Sequence, residues 1–144
     1  MTISSHNIYS STFNNNYNNS TNDIELQQKV SQLQSIDTKV RAHEMAHQAV
    51  GGAFAGAPSY TLQKGPDGKE YAVGGEVPIK IEKGKTPDET ISNMTQIKAA
   101  ALAPADPSPQ DLKVAQTADS IASQAKQEKN LNKDNSENHI DIYA

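Results

Sequence analysis

A small α+β domain is the fold this sequence predicts, and three observations point to it. Helical periodicity marks three separated stretches, each with its own start or stop signals. One stretch between them sets short runs of Tyr, Thr, Leu and Val around Gly-Pro-Asp-Gly, the pattern of a hairpin. The chain has 144 residues, 35% of them hydrophobic and none of them Trp or Cys, enough for one modest core.

Residues 1–22 are rich in Ser, Asn and Thr, with no apolar period, and are expected to be an unordered tail. A first helix is expected over Asp23–Val50. Asn22 and Glu25 form a capping box, and Leu26, Val30, Leu33 and Val40 recur at helical spacing. Asp37 interrupts that stripe and would suit a break near Ser35–Asp37. Gly51 and Gly52 provide the stop, because glycine accepts the left-handed conformation that ends helices.

A hairpin follows, Ser59–Gln63 pairing with Glu70–Val73 across the Pro-Asp-Gly turn. Gly74 and Gly75 would bend or bulge the chain before another extended piece, Val77–Ile81. Thr86, Pro87 and Glu89 are placed as cap, first helical residue and box partner of a second helix, with Ile91, Met94, Ile97 and Ala101 on its core face. Ser108 and Pro109 repeat that start for a third, whose face of Leu112, Ala115, Ala118, Ile121 or Ala122, and Ala125 is small enough to pack closely. From residue 128 to 144 the chain is polar again and is expected to be a second unordered tail, leaving 23–127 as the domain.

Composition removes several function classes. The formal charge is −4 with no Lys/Arg cluster, which argues against a nucleic-acid partner. Without cysteine, any metal must be held by His and carboxylate groups. The first basic residue is Lys29 and no long apolar run occurs, so neither a secretory signal nor a membrane span is expected, and cytoplasmic residence is the default.

The chemistry concentrates in Val40–Gly52, which contains His43-Glu44-Met45-Ala46-His47. Residues four apart share a helix face, so His43 and His47 can offer imidazole nitrogens to one ion about 2.0–2.1 Å away. Glu44 lies roughly 100° round the helix, able to reach a water at the metal without displacing a ligand. Val40 and Val50 would extend the histidine stripe with apolar walls. Zinc lowers the pKa of its water towards about 7, a carboxylate takes the proton, and a carbonyl can then be attacked. The bland alternative is a helix with two half-exposed histidines. A chance match is expected in only a few such chains per thousand, on the order of magnitude of short-motif frequencies, and this one falls on an independently expected helix.

A catalytic zinc usually takes a third protein ligand. Downstream candidates are Asp67, Glu70, Glu76, Glu82, Asp88, Glu89 and His139. Asp67 belongs to the turn, Glu89 to a cap and His139 to the tail. Glu76, between apolar neighbours in YAVGGEVPI, is either that ligand or a solvent-facing carboxylate on an edge strand. Tyr60 and Tyr71 are candidate donors to an oxyanion, or cross-strand packing residues.

These residues, with the helix ETISNMTQIKAAALAPADPSPQDLKVAQTA, resemble the SprA-related metalloproteases of bacteria over about Lys39 to Ala118, a little over half the chain. The resemblance implies a compact peptidase-type domain, with His43, Glu44 and His47 as its site, and favours Glu76 as the downstream carboxylate ligand, as in gluzincin-like enzymes. The expected function is zinc-dependent hydrolysis of peptide bonds, with Glu44 as general base and acid and an extended peptide or protein as substrate. The rivals are a zinc-stabilised structural module and a metal-free protein-interaction module.

Overall fold

The helix carrying both histidines, α1, spans Asn7–Gly51. The computed structural model describes residues 7–137, with side chains from residue 19 onward; His139 and the rest of 1–6 and 138–144 lie outside them. The helix thus takes in residues 7–22, left outside the folded domain by the sequence reading. Adding residues to an existing helix costs far less than nucleating one, so the packed segment further along supports a polar extension of low propensity. Leu26 stays 47% exposed and Leu33 only 6%, so burial of the expected stripe begins at Leu33.

No break occurs at Ser35–Asp37. Asp37 instead accepts the Ala72 backbone N–H at 2.7 Å, tying the helix to the hairpin, and the side-chain Nε–H of Arg41 at 2.9 Å. The stop falls where glycine allows it: α1 ends at Gly51, and Gly52, at φ +52°, opens a single 3₁₀ turn, Gly52–Phe54.

β1 (Ser59–Lys64) and β2 (Glu70–Glu76) form an antiparallel hairpin. Leu62 faces Ala72 and Thr61 faces Gly74, so Val73 is the extra residue of a bulge. The strand then continues through both glycines to Glu76, longer than expected. Val77–Ile81 forms no strand; Ile79 makes one isolated bridge to Ala55, flanked by bonds from Gly56 N–H to the Pro78 carbonyl (2.9 Å) and from Lys80 N–H to the Phe54 carbonyl (2.8 Å). The turn is fixed by Asp67, which accepts the Lys69 backbone N–H and the Tyr71 hydroxyl.

α2 (Pro87–Ala101) and α3 (Pro109–Glu137) pack on each other, and α2 packs on α1. Thr86 caps α2 by accepting the Glu89 N–H at 3.1 Å, while Glu89 reaches back to the Lys85 N–H at 2.7 Å. Met94, Ile97 and Ala118 are the fully enclosed centre, with Phe54, Ile79, Val114 and Ile121 against them. Ala100, Ala101, Ala115 and Ala125 are buried as well, so the small-residue face of α3 does allow close approach; Leu112 points outward at 48% exposure. α3 also runs ten residues into the expected tail, where residues from 128 are exposed and carry the Lys133–Glu137 pair. Among the described residues, no helix is long and apolar enough to cross a membrane.

Candidate metal centre

The last turns of α1 point His43, Glu44 and His47 at the place where β2 ends and α3 begins. His47 is 2% exposed and Glu44 3%. The Nδ1 of His47 lies 2.8 Å from the Ala100 carbonyl oxygen. A carbonyl can only accept, so Nδ1 carries the proton and Nε2 keeps its lone pair for a metal. The Nε2 atoms of His47 and His43 face each other at 3.2 Å.

The third donor is Asp111, on the first turn of α3. Its Oδ2 lies 3.3 Å from each Nε2, and the three donor atoms form a nearly equilateral group that could hold a metal ion. Asp111 is pinned there by a reciprocal capping box: it accepts the Ser108 backbone N–H at 2.8 Å and donates its own N–H to Ser108 Oγ at 3.1 Å. Burial alone would raise its pKa, but the Ser108 bonds and the neighbouring His47 and His43 together hold the carboxyl below its ordinary value.

Glu76 is therefore not in the donor group formed by the described residues. It is exposed at the end of β2 and lines the same cleft of about 670 Å³ as His43, Glu44, His47 and Asp111. β2 also brings its backbone close against Glu44: a Cβ at Gly75 would lie 2.9 Å from Glu44 Cγ and 3.1 Å from the Ser59 carbonyl oxygen. Only a glycine lets the strand lie this close to Glu44. The carboxylate of Glu44 is enclosed as a result, and its Oε2 has no hydrogen-bond partner among the described residues. Desolvation raises its pKa; the neighbouring histidines oppose the rise, and Asp111 and Glu76 reinforce it.

The other expectations divide. Val40 lines a second cleft of about 710 Å³ that also reaches His43 and Glu44, whereas Val50 is 40% exposed and lines neither cleft. Tyr71 is buried against Asp67, and Tyr60 lies under the Arg41 guanidinium; neither lines the cleft at the donor group. Asp67, Glu70, Glu82, Asp88 and Glu89 also stand outside the donor group.

Asp111 escaped the sequence reading because it sits far along the chain from the histidines, in a helix start where a carboxylate already has a structural use. The available signal was Ser108-Pro-Gln-Asp111 itself. A capping box fixes its acid rigidly at the helix start, and a pre-positioned carboxylate suits metal ligation.

No curated protein and no solved structure matches this chain. The model of the SprA-related family matches residues 11–141, nearly the whole sequence, and the chain belongs to that family.

Proposed function

We propose that this protein is a zinc-dependent peptidase, with His43, His47 and Asp111 as metal ligands and Glu44 as general base and acid. The observation that carries the reading is the donor triangle with an enclosed carboxylate beside it. Bonds of about 2.0–2.1 Å in a tetrahedral arrangement put donor atoms about 3.3 Å apart. The separations here are 3.2, 3.3 and 3.3 Å. Two imidazoles and one carboxylate are also a donor set that zinc accepts readily and that leaves a fourth position open.

When bound, zinc supplies Lewis acidity towards a carbonyl and acidifies water. The protein's own groups do the rest. His47 is held in the ligating tautomer by Ala100, and Asp111 is held by Ser108. Glu44, with its pKa raised by desolvation, is a stronger base than a solvated carboxylate and accepts a proton from water in the cleft. Its unpartnered Oε2 is free for that role. The same oxygen then returns the proton to the leaving amine.

A second reading, a zinc-stabilised structural module, is favoured by one feature: α3 packs mainly on α2 and meets α1 at Asp111, so a metal at the donor group would tie together two elements with little other packing between them. Glu44→Gln separates the two. In a peptidase the variant keeps its zinc and loses turnover of an unstructured protein such as casein by at least about 100-fold, the size of a general-base contribution. Casein cleavage undiminished in Glu44→Gln, or absent from the zinc-loaded parent, leaves the structural reading.

A further inference from the structure

Glu76 stands outside the donor group of His43, His47 and Asp111, and its placement fits another role. Every charged side chain lining the cleft at the donor group, apart from the histidines, is acidic: Glu44, Glu76 and Asp111, with no Lys or Arg among them. A divalent cation held by the donor group would offset the charges of Glu44 and Asp111 and leave Glu76 unmatched. Among the described residues it has no ion-pair partner. It also lines a smaller, mainly polar hollow of about 300 Å³ with Ser59, Tyr60 and Thr61, on the hairpin side of the cleft. The buried Glu44 Oε2, without a hydrogen-bond partner among the described residues, is an independent reason to expect a polar guest in the cleft.

We propose that Glu76 selects the substrate by its charge: it receives a cationic group of the peptide, a free α-ammonium or a Lys or Arg side chain, close to the bond being cut. This inference rests on the peptidase reading. A carboxylate at the rim of a low-dielectric cleft favours a cation by direct attraction and disfavours an acidic residue by repulsion. The surrounding residues limit what else could seat there. The hydroxyl-bearing wall of Ser59 and Thr61 suits a hydrogen-bonding head group rather than an apolar side chain. Arg41 is engaged by Asp37 and lies over Tyr60, so it does not serve as the missing counter-charge.

The test uses the full chain loaded with zinc and a pool of synthetic peptides of mixed sequence, each in free-amine and N-acetylated form, with products identified by mass spectrometry. Cleavage by the parent concentrated beside Lys or Arg, or next to a free amino terminus and abolished by acetylation, supports the proposal and tells the two cation sources apart. In Glu76→Gln the ratio of cationic to neutral cleavage falls at least tenfold, and in Glu76→Lys acidic peptides become preferred. Anisotropy of carboxyl-terminally labelled peptides on the Glu44→Gln protein reads the same preference without turnover. An unchanged ratio in Glu76→Gln overturns the proposal, as does loss of zinc from that variant, which would make Glu76 a ligand. Absence of any cleavage by the parent removes the peptidase reading, and this inference falls with it.

Discussion

Gly75→Ala is the smallest change that reaches the Glu44 carboxylate without touching the donor group. The new Cβ would sit 2.9 Å from Glu44 Cγ, 3.0 Å from its Oε1 and 3.1 Å from the Ser59 carbonyl oxygen. Carbon atoms in contact are about 3.5–4.0 Å apart, so something must move by about 0.6 Å or more. Ser59 is held in the hairpin ladder opposite Glu76, and the α1 backbone is fixed by His47 on Ala100. The Glu44 side chain is left to give way. Overpacking of this kind costs about 1–3 kcal/mol, which a urea titration with a slope of about 1–3 kcal/mol/M reads as a midpoint lowered by roughly 1 M. Because misplacing a catalytic group by about 1 Å costs on the order of 100-fold, turnover should fall by about tenfold or more while zinc content holds. In a Glu44→Ala background the contacts with Cγ and Oε1 are gone and only the approach to the Ser59 carbonyl oxygen remains, so adding Gly75→Ala should then cost clearly less stability. Equal midpoints for Gly75→Ala and the parent would refute the packing of β2 on Glu44, as would an undiminished cost in the double variant.

Other outcomes follow from the same geometry. Ser108→Ala removes one half of the α3 capping box and should cost about 1 kcal/mol by urea titration of the zinc-free protein, the usual worth of a cap. Asp111→Asn keeps an oxygen for the Ser108 N–H and should cost less than that, yet lose zinc, so the two variants separate capping from ligation. The Asp37 carboxyl is held below its ordinary value chiefly by the Ala72 N–H, opposed by partial burial and aided by Arg41. A depressed carboxylate contributes stability that is fully present above its unfolded pKa of about 3.9 and is lost as pH falls through its lower folded value. Asp37→Asn should therefore flatten the acid limb of the midpoint-against-pH curve; an unchanged limb would contradict the tie between α1 and β2. Met94→Ala, at the enclosed centre, should destabilise by about 2–5 kcal/mol, and a loss under 1 kcal/mol would contradict its 1% exposure.

The sequence made the local features legible and the meeting of distant ones much less so. Both histidines and Glu44 lie within one helical turn of each other, so periodicity alone puts them on neighbouring faces. Caps at Thr86 and Ser108 and the stop at Gly51–Gly52 could be read for the same reason: each motif is satisfied within a few residues. Asp111 needed the path of the chain through α2 and the turn into α3, which no local pattern encodes. Glu76 shows the converse difficulty. Pleat alternation could not be followed past the glycines, because the bulge at Val73 shifts the register just before them. The glycines read as a bend or bulge, and a bulge does fall directly before them; what the pattern does not show is that Gly75 admits the Glu44 carboxylate. At the chain's ends, polar composition suggested tails, while helices anchored in the core extend through part of both.

The central claim is that α1 and α3 together make a zinc site with Asp111 as its third ligand. Elemental analysis of the purified full chain, beside His43→Ala, Asp111→Asn and Glu76→Gln prepared identically, tests it most directly. The predicted result is about one zinc per chain in the parent and in Glu76→Gln, and next to none in His43→Ala and Asp111→Asn. A parent that takes up no zinc when supplied with it, or an Asp111→Asn protein that holds zinc as well as the parent does, would contradict the account.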